Sequence, residues 1–437
     1  MSELTMVPEP RDPNQELWDP EAQAMDRERR RELQNERLRA VVGKVFERPV
    51  PLFKRKLEQA GITGPDDVKS VDDLQQIPLT VKQELRDSEA EAPPLGEYRF
   101  VDTNQCIRLG QSTGTTGTPT VTLWTRHDVW VEYECAARNW WRMGYRPGMS
   151  ATHAHPAYLY GGGVMLSGTY EYFGLLNIWV PPPDTDELAE QGMRMWMRMK
   201  PDIPFVGFSL GRYFEVANKL ELDPFKDLGL RIPTMAGAGQ SPPLMTAGLD
   251  CFAYLGGAYA DRPGHGAFLH EDYCYVQAVD PETGRDVPDG EWGNLVVTTF
   301  GRDNVLLRYD LEEACKLTSE QDPGDTETFR RGWWGGRFKD LLTSQGRRFQ
   351  VSEVEHALRG VEAVTQPSLE YVVVKPAEEA APLRVRVEMA ETAGRDAVAQ
   401  QCQQAIKDKL DLDATVEVLD REALPRSGYK TNRVVDA

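Results

Sequence analysis

The chain has 437 residues and a mass of 49.3 kDa, too long for one ordinary compact domain, so two or three units are expected. Its 40% hydrophobic content and 10 Trp support a sizeable core and exclude general disorder. Fifty basic against 69 acidic residues leave a net charge of -19, which argues against nucleic-acid or anionic-membrane partners while leaving room for a local phosphate pocket.

The first 30 residues carry many charges and no apolar core, which argues against a signal peptide. Residues 1–20 are Pro- and Asp-rich and read as an extended arm. From Glu21 to Phe46, Met25, Leu33, Leu38, Val41, Val42 and Val45 lie among charges as on an amphipathic helix. Thr80 with Gln83 predicts the capped start of a short helix after Pro78. Between 120 and 300, strand-like runs (VTLW, LLNIWV) alternate with helical ones (DVWVEYECAARNWW, ELAEQGMRMWMRM), predicting an α/β body with largely parallel sheets. Tyr158 to Val180 is the most apolar long stretch. Its five glycines and Glu171 make it a buried strand and helix pair rather than a membrane span. The stripe Met193, Met195, Trp196, Met197, Met199 reads as core filler. CYVQAVD and NLVVTTF, joined by PETG and PDGEWG, predict an antiparallel hairpin.

The last hundred residues read as a separate α+β unit, with a boundary near 338–340. Ser352 and Glu355 predict a capped helix through Leu358, LEYVVVK a strand, and LRVRVEM a strand with Leu383, Val385, Val387 and Met389 on one face and charges on the other. A helix over 395–411 and a strand in ATVEVL follow. The six cysteines (106, 135, 251, 274, 315, 402) form no CxxC pair, which points to reduced thiols in a cytoplasmic protein.

The densest chemistry lies in QSTGTTGTPT, residues 111–120. Ser112, Thr113, Thr115, Thr116 and Thr118 alternate with Gly114 and Gly117, a composition that presents backbone N–H and hydroxyl donors to phosphate oxygens. The plain alternative is a flexible surface turn. No Gly-Lys-Ser/Thr ends the segment, so it is not a Walker A loop.

This segment resembles the [ST]SGTTGxPT phosphate-binding signature of the AMP-forming adenylating enzymes. IPLTVKQELRD, DPETGRDVPDGEWGNLVVTT, LLRYD, GGRFKDLL and LPRSGYKTNRVVD are similar to stretches of that superfamily's phenylacetate–CoA ligase branch, and the likeness runs from Leu17 to Asp436. The resemblance implies a large N-terminal α/β body over 1–338, with mixed sheets flanked by helices and an antiparallel β subdomain, and a small mobile α+β lid over 339–437. It also implies ATP, Mg2+ and coenzyme A as cofactors, a cytoplasmic homodimer, and no membrane or nucleic-acid partner. By resemblance Lys430 is the adenylation lysine, and Ser112, Thr113, Gly114, Thr115, Thr116 and Gly117 wrap the phosphates. Tyr254 stacks on adenine, Glu313 and Arg337 take the ribose, and Lys339 is the hinge. Tyr158, Tyr160, Gly161, Phe208 and Gly237 line the acyl pocket, with core packing as the alternative for the aromatics.

The chain departs from the family pattern in three places. The Y-G-x-[ST]-E motif, whose glutamate helps hold magnesium, is matched by Tyr254, Leu255, Gly256, Gly257 and Ala258, leaving Asp261 as the nearest carboxylate. AGAGQSPP places Gly239 and Gln240 where relatives carry Glu-Pro. The zinc loop of many relatives is shortened here. Cys251, His265, His270 and Cys274 fit no zinc spacing, so no structural zinc is expected. The leading expectation is an ATP-dependent ligase that adenylates an aromatic or arylacetic-type acid and transfers it to coenzyme A. The alternatives are an adenylating enzyme with an amine acceptor (amide formation, or nitrite activated for attack by an aryl amine) and a non-catalytic nucleotide-binding paralogue.

Overall fold

A computed structural model describes residues 8, 11–48, 50–111, 120–153, 161–204, 210–223, 226–227, 244–246, 254–259, 261–262, 264–365, 368–376, 378, 380–389, 394–424 and 432–436. In chain order the elements are α1 (Pro20–Gln23), α2 (Arg27–Glu47), α3 (Pro51–Gln59), α4 (Lys82–Glu91), β1 (Cys106–Gln111), β2 (Val121–Thr125), α5 (Arg126–Arg142), β3 (Ser150–His153), α6 (Gly161–Phe173), β4 (Leu176–Trp179), α7 (Asp186–Met199), β5 (Ile203–Pro204) and α8 (Leu210–Lys219). There follow β6 (Leu244–Thr246), β7 (Tyr254–Gly257), β8 (Ala267–Leu269), β9 (Cys274–Val279), β10 (Trp292–Thr299), β11 (Tyr309–Thr318), β12 (Arg331–Arg337), β13 (Leu341–Ser344) and β14 (Arg347–Gln350). The C-terminal elements are α9 (Val351–Leu358), α10 (Glu362–Thr365), β15 (Tyr371–Val374), β16 (Leu383–Glu388), α11 (Arg395–Leu410), β17 (Ala414–Leu419) and β18 (Val434–Val435). They fall into two compact units, one of 1–148, 156–175 and 243–334, the other of 149–155, 176–242 and 335–437.

The first unit is built around a seven-stranded sheet in the order β6-β7-β8-β12-β11-β10-β9. The hairpin expected over 274–300 is present, with Leu295 opposite Ala278 and Val297 opposite Val276. Helices α2 and α3 bury Leu38, Val42 and Phe53 in one cluster with Val276, Val297 and Leu307. Period-3.6 apolar spacing put those α2 residues on one helix face. The described part of the N-terminal arm is docked at Trp18, which is buried against Trp141 and Phe173 and whose indole donates to Glu134 Oε2 at 3.0 Å. Helix α5 starts on a reciprocal cap, in which Thr125 Oγ1 accepts the Asp128 N–H at 3.1 Å and Asp128 Oδ2 accepts the Thr125 N–H at 3.0 Å.

Several local expectations give way to longer-range bonds. Thr80 does not cap α4. Its hydroxyl donates to the Leu307 carbonyl at 2.7 Å and its backbone bridges to Tyr309, while Glu84 takes the N–H of the capping residue Val81 at 2.8 Å. In the same way Ser352 lies inside α9, and Glu353 receives the Gln350 N–H at 2.8 Å. The parallel arrangement expected between 120 and 300 holds for β3, β4 and β5, whereas β1–β2 and the paired strands of the large sheet's hairpin are antiparallel. In the apolar stretch, α6 buries Met165, Leu166, Tyr170 and Phe173, but β4 is an edge strand with Leu176 and Trp179 exposed rather than buried.

The second unit holds the three-stranded parallel sheet β4-β3-β5 and the four-stranded sheet β17-β16-β15-β18. Against the former, Met193 and Trp196 of α7 are buried with Tyr213 of α8, and Met195 and Met197 pack on them. Met199 is exposed, so the stripe is core only over its first turn and a half. In β16, Leu383, Val385 and Val387 face the core as expected. The opposite face is not uniformly solvated, because Glu388 is fully buried.

β7 depends on two glycines. A Cβ on Gly256 would stand 2.4 Å from the Phe268 carbonyl oxygen, and one on Gly257 2.2 Å from Asn139 Oδ1 of α5. The first obstacle is backbone of the paired strand β8 and cannot rotate away. Gly256→Ala is therefore expected to destabilise the first unit by about 1–3 kcal/mol through overpacking, measured by urea unfolding. Unchanged stability would show that β7 and β8 separate without cost.

Candidate active site

The phosphate-loop candidates Ser112, Thr113, Gly114, Thr115, Thr116 and Gly117 lie outside the described residues, as do Tyr158, Tyr160, Phe208, Gly237 and Lys430. The stem of the loop is described. β1 and β2 pair antiparallel with Gln111 opposite Val121, which brings the two ends of the Gly/Thr segment side by side. Gly161 opens α6, and Tyr254 opens β7.

The ribose candidates sit on strands. Glu313 lies in β11, half-buried, and its Oε2 accepts the Trp334 indole N–H at 2.6 Å. Trp334 stands in β12 of the same sheet and was not singled out from the sequence. A tryptophan in GWWGGR gives no sign of its partner, because the two residues meet only through strand pairing. Arg337 ends β12, half-buried, and Lys339 follows in a one-turn 3-10 helix over Phe338–Asp340.

The magnesium question turns on β7. Ala258, at the place of the family glutamate, is buried and offers no oxygen ligand from its side chain, and Asp261 is exposed in the following turn. Among the described residues the one cluster of potential metal ligands is His265, Asp322 and Asp325. His265 Nδ1 lies 2.9 Å from Asp322 Oδ2 and its Nε2 3.1 Å from Asp325 Oδ1. The same oxygens receive Arg331 at 2.9 Å and Arg262 at 2.8 Å. The Arg331 hydrogen bond holds the Asp322 carboxyl below its ordinary range. Two guanidiniums thus supply the positive charge a cation would bring, so these residues do not fit a divalent metal. The described zinc candidates have other partners. His270 Nε2 meets Arg142 Nη1 at 3.0 Å inside the core, and the Cys274 thiol points at the His270 carbonyl at 3.3 Å, its own pKa pushed up by burial. Cys251 is outside the described residues.

Three comparisons bear on the chain. Residues 351–437 match the family model for the AMP-binding enzyme C-terminal domain. The chain is 29% identical to a phenylacetate–coenzyme A ligase of Thermus thermophilus, over 96% of this chain and 99% of that protein. It is 27% identical to the phenylacetate–coenzyme A ligase of Escherichia coli, over 92% and 94%. The chain is similar over nearly its whole length to phenylacetate–coenzyme A ligases. Its fold matches that of a solved 2-hydroxyisobutyryl-CoA ligase, captured after adenylation with 2-HIB-AMP, at a TM-score of 0.78 and 23% identity, covering 98% of this chain and 95% of the other.

Among the described candidates, Glu313 is an acceptor held by a donor, since the Trp334 indole N–H fixes one of its carboxylate oxygens at the level of one hydrogen bond. The glutamate is one methylene longer than the aspartate of the family pattern. Tying one oxygen to an indole removes part of the rotamer freedom which that methylene adds.

Proposed function

We propose that the protein is an ATP-dependent, AMP-forming acid–thiol ligase that activates an aromatic or arylacetic-type carboxylate and passes it to coenzyme A. In the first step a carboxylate oxygen bonds to the α-phosphorus, the bond from that phosphorus to the bridging oxygen breaks, and pyrophosphate leaves with the electron pair. In the second the coenzyme A sulfur bonds to the acyl carbon, the acyl–oxygen bond breaks, AMP leaves, and the thiol proton passes to solvent. Charge builds at phosphorus and then at the acyl oxygen, so fixed donors aimed at those atoms are the catalytic resource. In this reading Ser112–Gly117 wrap the phosphates, Lys430 bridges carboxylate and α-phosphate, Tyr254 stacks on adenine, and Glu313 and Arg337 take the ribose. Tyr158, Tyr160, Gly161, Phe208 and Gly237 form the acyl pocket of a body over 1–338, and a lid over 339–437 turns about Lys339. Magnesium enters on the ATP phosphates, in keeping with Ala258 at the family's glutamate position.

The observation that carries the reading is the near end-to-end likeness to phenylacetate–coenzyme A ligases, and the phosphate-loop and lysine motifs of this chain support it. Among the described residues no helix is long and apolar enough to cross a membrane. A cytoplasmic homodimer is part of the same proposal. The test is pyrophosphate release with a panel of aromatic and arylacetic acids, each with coenzyme A, hydroxylamine, or nitrite plus an aryl amine. Thioester formation with coenzyme A is expected. Turnover indifferent to coenzyme A would replace the thiol by an amine acceptor, and ATP binding with no pyrophosphate from any acid would leave a nucleotide-binding paralogue.

A further inference from the structure

The segment that carries Lys430 leaves the described chain at Leu424 and returns at Asn432. Both flanks are tied to buried carboxylates of the C-terminal sheet. At the first flank, Glu388 at the end of β16 accepts the backbone N–H of Glu422 at 3.2 Å and of Leu424 at 2.6 Å, and pairs with Arg421 at 3.4 Å. At the second, Glu370 pairs with Arg433 at 3.2 Å, whose guanidinium also donates to the Tyr371 carbonyl at 2.8 Å and lies 4.6 Å from the Tyr371 ring centre. Both carboxylates are fully buried.

Ser368 joins the two flanks. Its hydroxyl donates to Glu370 Oε1 at 3.1 Å and accepts from Arg421 Nη2 at 3.0 Å, while its carbonyl accepts from Arg421 Nη1 at 2.9 Å. One continuous polar chain therefore runs Glu388, Arg421, Ser368, Glu370, Arg433. The backbone reinforces it, because Val373 N–H donates to the Arg433 carbonyl at 2.7 Å and Val434 pairs with Val373. Burying two carboxylates in a small sheet is costly unless each is paired, and an apolar pair of similar size would stabilise the sheet as well. Stability alone does not account for their presence there.

We infer that this five-residue chain is a positioning device that holds residues 421–424 and 432–434, the described flanks of the Lys430 segment, and that adenylation depends on it. The inference rests on the functional reading given above. Its members are positioning residues, since none is placed against substrate. Lys430 belongs to the first half-reaction only in that reading, so a misplaced segment slows adenylation and spares thioester formation from an adenylate supplied ready-made.

The experiment uses the full chain and the acid that gives the fastest ATP–pyrophosphate exchange. Glu370→Gln and Ser368→Ala are each measured for exchange, for thioester formation from the synthetic acyl adenylate plus coenzyme A, and for thermal unfolding. Adenylation kcat is expected to fall about 10- to 100-fold, with the KM for ATP within about twofold and thioester formation within about twofold. Ser368→Ala removes one hydroxyl and serves if Glu370→Gln does not fold. Equal loss in both half-reactions, or no loss in exchange, overturns the inference. Absence of exchange in the unmodified enzyme with every acid overturns the functional reading first, and the inference falls with it.

Discussion

Replacing Lys430 by Ala is expected to lower adenylate formation by about 100- to 1,000-fold, the cost of removing one fixed donor from a developing charge. The thermal unfolding midpoint is expected to stay in place. Two anions, the substrate carboxylate and the α-phosphate, must approach before any bond forms. In the proposed mechanism a compact ammonium between them offsets that repulsion and the charge that grows as pyrophosphate departs. Lys430→Arg keeps the charge but substitutes a planar fork for a point donor, so it is expected to recover only part of the rate. ATP–pyrophosphate exchange reports this step in isolation, and thioester formation from a supplied acyl adenylate is expected to survive in both variants. Full exchange activity in Lys430→Ala would remove the lysine from the mechanism and detach the C-terminal polar chain from catalysis.

What the sequence made legible was what is local. The hairpin of β9 and β10 follows from two apolar runs and the turns between them, and α7 from the spacing of Met193 and Trp196. Ser112–Gly117 stand out as phosphate-loop candidates through their glycines and hydroxyls, and they lie outside the described residues. Contacts made across the chain were not legible. Thr80 has the residue type of a helix cap, yet a loop carbonyl 227 positions away competes for its hydroxyl and wins. Glu388 continues the alternation of LRVRVEM on the face expected to meet solvent, and nothing nearby in sequence announces the backbone N–H groups of 422 and 424 that bury it. Trp334 and Glu313 are 21 positions apart and meet only once β11 and β12 are neighbours in the sheet. The pattern also covered caps that were one or two residues out of register, because any hydroxyl before an acidic residue satisfies it.

Arg138→Met is expected to destabilise the first unit by about 3–5 kcal/mol, the range for removing one partner from a buried ionic group. Arg138 is 1% exposed and grips Asp272 with both Nη atoms, at 2.8 and 2.9 Å, while Nη2 also reaches Asp19 at 3.0 Å. Burial pulls against its charge, but Asp272 and Asp19 outweigh that pull and hold the guanidinium well above its ordinary range. Without it, the Asp272 carboxylate is stranded in the core and the arm residue Asp19 loses its anchor. The loss should appear as a lower urea midpoint and as faster proteolysis of the chain before α1. Adding Asp272→Asn to Arg138→Met should restore part of the stability, since the stranded charge rather than the missing contact carries most of the cost. The effect should reach the site as well. Arg138 precedes Asn139, whose Oδ1 accepts from Arg142 at 2.8 Å and fills the space over Gly257. A shift of α5 thus bears directly on β7, the strand that Tyr254 opens. A loss under about 1 kcal/mol would mean that water already reaches Asp272, and that the arm is held by Trp18 packing rather than by charge.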